Sequence, residues 1–210
     1  MPADRVARPR TLILACGALA RELRTVLRTL APGPADVEAH ASIDVEYLPA
    51  NLHNRPERIA GRIDAILTER AQSYERIIVA YGDCGTGAQL DAVLIRHGAV
   101  RIPGAHCYDF FAGAARFAAL QQEEPGSFYL TDFLARHFDA LVWGGLGLDR
   151  HPQLRDAYFG NYRRVVLLSQ SDDPALLVLG RSAAERLGLA FEHRHVGTGP
   201  FGEVIRALAG

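Results

Sequence analysis

Short apolar runs alternate along this chain with longer stretches in which apolar residues return every three or four positions. Leu12 to Ala15 reads as a buried strand, and in the stretch Gly17 to Leu27 the residues Leu19, Leu23, Val26 and Leu27 share one helical face. A loop at Pro32-Gly33-Pro34 closes that unit. Ile43 to Leu48 is a second strand, and Arg55-Pro56-Glu57 opens a helix with proline in its first turn, striped by Ile59, Ile63, Ile66 and Leu67. Arg76 to Ala80 is a third strand, β-branched and apolar on both faces, as a central parallel strand should be. A helix over 88–97 and a short strand near Val100 to Ile102 follow.

The second half continues the alternation less regularly. It predicts a helix around Asp132 to Leu141, a loop from Trp143 to Pro152, a strand at Val165 to Leu168, a helix from Asp173 to Leu187, a strand near Leu189 to His193 and a terminal helix from Gly202. Strands separated by helices of this length imply right-handed crossovers and a parallel sheet covered on both faces. The expected fold is α/β: one domain over residues 1–210, a doubly wound, mostly parallel, Rossmann-like sheet with a helical insertion at 107–162.

Composition narrows the function classes. With 210 residues, 49% hydrophobic and 22% charged, the chain is ordinary for a globular protein with a substantial core. A net charge of -1 gives no electrostatic case for nucleic acid or an anionic membrane. All cationic side chains are arginine, which excludes Schiff-base chemistry and a Walker A loop, both of which need an amine. Residues 1–10 lack a signal-peptide core and the first apolar run is strand-length, so a cytoplasmic protein is expected. In that reducing setting three cysteines point to buried, metal-bound or reactive thiols rather than disulfides.

Open parallel sheets bind ligands outside the carboxyl ends of their strands, so the residues after each predicted strand matter most. Those segments are Ala15-Cys16-Gly17, Leu48 to Asn54, Tyr81 to Gly87, and Pro103 to Tyr108. They hold every cysteine (Cys16, Cys84 and Cys107) and two histidines, His53 and His106. Thiolates and imidazole on one sheet edge match what a tetrahedral zinc site requires, with iron the second choice. Nearby helix N-termini are expected to help keep the thiols deprotonated. His106 and Cys107 are adjacent, so His53 is the rival imidazole. Each cysteine taken alone also reads as a small buried hydrophobe. The segment Gly82-Asp83-Cys84-Gly85-Thr86-Gly87 has a phosphate-cradle composition without the spacing of a nucleotide motif.

At these loops the chain resembles the family called domain of unknown function 1638. The resemblance rests on Leu52-His53-Asn54-Arg55-Pro56-Glu57, Tyr81-Gly82-Asp83-Cys84-Gly85, Pro103-Gly104-Ala105-His106-Cys107 and Gly126-Ser127-Phe128-Tyr129-Leu130-Thr131, in that order. That family is often found beside corrinoid-dependent methyltransferase systems, so the resemblance implies a role in methylamine or one-carbon metabolism, with corrinoid methyl-transfer proteins or a small molecule as partner.

In the second half, Arg150 and His151 in the glycine-rich loop read either as substrate groups or as the lead into a helix. Tyr158, Phe159 and Tyr162 read as a stacking surface or as core, and the hydroxyls of Tyr129 and Thr131 as cleft groups or as caps. His193 and His195 alternate on a strand and point to one face. Three functions remain open: a metal-binding enzyme or accessory protein for methyl transfer, a metal-free thiol enzyme with Cys84 as nucleophile and His53 or His106 as base, and a non-catalytic small-ligand binding module. Oligomerisation is not decided by sequence.

Overall fold

Among the described residues seven strands, all paired parallel, form two sheets, and in each sheet every strand therefore ends on the same edge. This computed structural model describes residues 10–29 and 43–209; the loop expected at Pro32-Gly33-Pro34 and the segment 1–9 lie outside the described residues. The chain divides into two compact units, residues 1–105 with 204–210, and residues 106–203. The expectation of an α/β fold with parallel strands holds, with the strands shared between two sheets.

The first unit contains β1 (Thr11–Cys16), α1 (Ala20–Thr29), β2 (Ile43–Leu48), α2 (Ile59–Arg70), β3 (Arg76–Ala80), α3 (Gln89–His97) and β4 (Val100–Arg101). Its sheet runs β2-β1-β3-β4. β1 is central and buried along its whole length, with Leu12 to Ala15 fully excluded from solvent. Each such leucine or isoleucine contributes about 1.5–3 kcal/mol through burial. The stripe expected on α2 is observed: Ile59, Ile63, Ile66 and Leu67 are buried. α3 stops at Gly98, whose φ of 62° lets its N–H reach back to the carbonyls of Leu94 and Ile95. Asp64 on α2 ties the two helices together, accepting from His97 Nε2 at 2.8 Å and pairing with Arg96 at 3.0 Å.

The second unit contains α4 (Cys107–Ala112), α5 (Ala114–Glu123), β5 (Ser127–Leu130), α6 (Asp132–Arg136), α7 (Leu154–Phe159), β6 (Arg164–Ser169), α8 (Ala175–Leu187) and β7 (Ala190–His195). The last helix, α9 (Gly199–Ala209), is divided between the units at Val204. The sheet order is β5-β6-β7. The segment 107–162 thus carries a strand as well as helices. β5 has only four residues, too few to reveal a period, and it forms because its backbone pairs with β6 from Ser127–Arg164 to Leu130–Leu167. The helix expected through Leu141 breaks after Arg136 and resumes as a wide π-type turn over Asp139–Trp143. Phe159 and Tyr162 pack edge-on against Phe128 with ring centroids 5.2 and 5.8 Å away, so two members of the aromatic triplet are core, while Tyr158 is exposed. Among the described residues no helix is long and apolar enough to cross a membrane.

Candidate thiol site at the edge of the first sheet

β1 and β3 are neighbours in register, with Ala15 opposite Ala80. The next residues along each strand, Cys16 and Tyr81, therefore reach the carboxyl edge at the same level. Cys16 is the final residue of β1 rather than the start of a loop, and is buried. Beyond Tyr81 the chain enters a loop whose backbone is unusual. Cys84 and Ala88, with φ of 48° and 67°, are the only non-glycine residues of positive φ among the described residues, and Gly85 and Gly87 adopt the same hand. Such conformations cost of order 1–3 kcal/mol at non-glycine residues and persist only where surroundings enforce them.

Two sets of hydrogen bonds do the enforcing. The Asp83 carboxylate accepts from Gly85 N–H at 3.2 Å, from the Thr86 hydroxyl at 3.1 Å and from Ala88 N–H at 3.4 Å. The Asp83 and Cys84 N–H groups donate to the carbonyls of Gly104 and Ala105 at 3.0 and 2.7 Å. Arg101 steadies that receiving strand end: its guanidinium forks onto Asp91 at 2.5 and 3.1 Å and donates to the carbonyls of Ile102 and Gly104. The approach is tight at Gly82, where a Cβ would lie 3.0 Å from the Gly104 oxygen. The same holds at Gly17, where it would lie 2.8 Å from Leu48 O.

The loop holds Cys84 where it interacts electrostatically with Cys16 and Tyr81. Burial pushes the Cys84 thiol up to about 11, reinforced by Cys16 and Asp83 and opposed by the Gly82 N–H and Arg101. Burial also raises Cys16, against the Ala18 N–H and the Tyr81 hydroxyl. Tyr81 is 2% exposed and its phenol is pushed far up by burial and then by the two thiols. Its hydroxyl makes no well-formed hydrogen bond; the Cys16 thiol, and more weakly that of Cys84, shift its ionisation. The expected help from helix dipoles is therefore outweighed. Burial dominates: Cys84 is pushed far above neutral pH, and Cys16 is shifted in the same direction.

The remaining expected ligands are placed as follows. His53 is exposed on a 3-10 turn, Ala50–Asn54, after β2. His106 and Cys107 open the second unit. His106 is the N-cap of α4, its N–H donating to Asp109 Oδ2 at 2.9 Å and its ring stacked 6.2 Å from Tyr108, and Cys107 is the half-buried first helical residue. Among the described residues no three histidine, cysteine or acidic side chains are gathered as a metal ion would need. What is brought together is the pair Cys16 and Cys84 with Tyr81.

The family model described as Protein of unknown function (DUF1638) matches residues 47–205. The chain belongs to this family. No curated protein and no solved structure matches it. The DUF1638 match takes in His53, Tyr81, Cys84, His106 and Cys107 and begins after Cys16.

Three groups of this site escaped the reading of the sequence. Tyr81 carries no signal of its own in the sequence beyond its position directly after β3, which mirrors that of Cys16 in β1. Asp83, preceding a glycine-rich turn, carries the usual signature of a carboxylate that bonds its own following backbone. Arg101 acts from a strand two residues long and left no pattern. Of the second-half candidates, Arg150 and His151 are exposed, with Arg150 paired only loosely to Asp149 at 3.8 Å. Tyr129 is core, its ring 4.9 Å from Phe117, and Thr131 caps α6 by accepting from Leu134 N–H at 3.3 Å.

Proposed function

We propose that this protein binds a thiophilic divalent metal, zinc before iron, through Cys16 and Cys84 at the carboxyl edge of the first sheet. The observation that carries the reading is the pair of thiols held beside a buried, under-bonded phenol by a strained loop. Burial disfavours thiolate there, and a bound cation is what reverses that preference. Two thiolates suit zinc or iron over magnesium or calcium. His53 in the same unit, and Cys107 and His106 by their place in the sequence, are candidates for the remaining coordination positions. A bound zinc would supply Lewis acidity and stabilise an incoming thiolate, which suits a small-molecule thiol acceptor in methyl transfer or one-carbon metabolism, in a reducing, cytoplasmic setting.

The metal-free alternative, with Cys84 as nucleophile, is less well supported. A thiol pushed to about 11 is almost wholly protonated at neutral pH, and thiolate is the reactive form.

Metal analysis of tag-free protein tests the proposal. Near-stoichiometric zinc or iron is expected, lost in Cys84→Ser and in Cys16→Ser. Cys107→Ser, His106→Gln and His53→Gln then identify the other ligands by which of them lower the metal content. Wild-type protein that stays folded without metal and takes up none on dialysis against zinc would sink the reading, and rapid alkylation of Cys84 in that protein would revive the nucleophile.

A further inference from the structure

The two faces of β2 are treated differently by the residues around them. Side chains alternate along a strand, so Asp44 and Glu46 turn one way and Val45 and Tyr47 the other. On the acidic side the charges are matched. Arg10 donates to Asp44 at 2.9 Å, the Tyr74 hydroxyl donates to the same carboxylate at 2.6 Å, and Arg70 pairs with Glu46. On the other side Val45 and Tyr47 line a cavity of about 520 Å³ together with Arg21, Arg24, Leu27 and Arg28 of α1, all within the first unit.

The charges on that side are not matched. Arg24 Nε donates to the Ala20 carbonyl at 3.0 Å and Arg28 reaches the Thr25 hydroxyl at 3.5 Å, but among the described residues none of the three arginines pairs with a carboxylate. All three are exposed. Spaced by three and then four residues, they stand along one face of α1, where like charges repel and an anion between them relieves the repulsion. Their field reaches the cavity wall: burial pushes the Tyr47 phenol up, and the Arg24 guanidinium pulls it back.

Shape and chemistry narrow the ligand. From Arg21 to Arg28 the helix rises about 10 Å, a span that suits two linked anionic groups better than one. Guanidinium forks match phosphate oxygens two at a time. Leu27, Val45 and the Tyr47 ring, each half-buried, add an apolar and partly aromatic floor that an inorganic anion leaves unused. The volume is that of a small-ligand cleft, and the cationic charge is local in a chain of net charge -1, so a small anion fits better than a long polyanion.

We propose that the cavity between α1 and β2 binds a small organic diphosphate carrying a flat ring, of the nucleoside diphosphate class. Arg24 is the central phosphate contact, Arg21 and Arg28 bracket it, and the ring lies against Tyr47. The site does not depend on the thiol pair or on its metal.

Calorimetric titration tests this on tag-free protein stripped of metal and dialysed free of chelator, with ADP, pyrophosphate and adenosine as separate probes. ADP is expected to bind at one equivalent, about tenfold tighter than pyrophosphate, and adenosine more weakly than either. Arg24→Gln is expected to weaken ADP about tenfold, with Arg24→Lys recovering part of the loss. Tyr47→Leu brings ADP down to the affinity of pyrophosphate and leaves pyrophosphate itself unchanged. The arginines are exposed, so their variants are expected to unfold at the wild-type temperature without ligand, and in the unaltered chain added salt weakens ADP binding with no substitution needed. Absence of saturable ADP binding, equal affinity for ADP and pyrophosphate, or binding indifferent to both Arg24→Gln and salt overturns the proposal. So does ADP binding that is lost in folded Cys84→Ser protein, which would place the ligand at the thiol edge instead.

Discussion

The two sheets end in edges built on opposite principles. At the edge of the second sheet, Asp132 follows β5 by two residues and is 1% exposed. Its carboxylate accepts from the Gln170 N–H at 2.8 Å and the Ser171 hydroxyl at 2.6 Å, and its own N–H donates to Gln170 Oε1 at 2.9 Å. The Gln170 amide then closes on the Leu168 carbonyl at 2.5 Å. These buried polar groups are matched donor to acceptor across the ends of β5 and β6. At the first edge, the buried Tyr81 phenol lies with the buried Cys16 and the half-buried Cys84 and lacks a well-formed hydrogen bond, and the backbone that carries Cys84 is strained. A buried polar cluster that is fully paired stiffens the fold, and one that is partly paired stores a cost that a ligand can relieve. The same architecture thus holds one edge closed by its own hydrogen bonds and one edge suited to accept something from outside.

The largest test of this contrast is at the closed edge. Asp132→Ala removes two accepted bonds and leaves a buried N–H and hydroxyl without partners, which should cost about 3 kcal/mol in urea unfolding. A cost below about 1 kcal/mol would mean that the network is not what holds that edge.

Next in size is an alkaline effect confined to the open edge. The folded value of Cys84 lies above the ordinary 9.0, at about 11. Its neutral form is therefore favoured by folding, and that contribution is complete below about pH 9 and lost as pH rises through 11. Metal-free protein should lose stability on the order of 2 kcal/mol across that window, and Cys84→Ala should flatten the slope. An identical slope in the variant would remove Cys84 from the account.

Gly82→Ala comes third. The added methyl meets the Gly104 carbonyl at 3.0 Å and the Ala105 backbone at 3.2 Å, so the loop must shift, at about 1–2 kcal/mol. Thermal unfolding measures it, and a neutral result would show the loop to be looser than its hydrogen bonds imply.

The smallest effect has the opposite sign. Ala88 is exposed at φ 67°, so Ala88→Gly should relieve strain and raise stability by about 0.5–1 kcal/mol. A destabilised variant would show that the Ala88 conformation is not a source of strain.

Much of the fold was legible because hydrophobic period encodes it directly. Ile43–Leu48 and Arg76–Ala80 emerge with the bounds expected, since β-branched runs between turn residues leave little choice. β5 was missed because its burial is decided by β6, a partner more than thirty residues away, and four residues cannot display that debt. At the candidate site, the positions of Cys16 and Cys84 at the strand ends were legible, because parallel pairing forces all strands of a sheet to finish on one side. The positive φ of Cys84, the Asp83 turn and the Arg101 brace were not legible, since they arise from contacts with Gly104 and Ala105 rather than from any local pattern. Equally hidden was the meeting of His193, His195 and Ser169. The alternation of the histidines was visible, but the hydroxyl between them comes from a different strand.

The divided helix α9 has a consequence for how the chain is made. Residues 204–210 belong to the first unit, and Ile205 among them is fully buried, yet they follow the whole of the second unit in the chain. During synthesis from the N-terminus, residues 10–105 leave the ribosome long before the segment that completes their packing, whereas the second unit emerges as one uninterrupted stretch. The later-made unit is then the first to have all of its parts. Any early folding of the N-terminal sheet proceeds without residues 204–210, which are made only after the whole of the second unit.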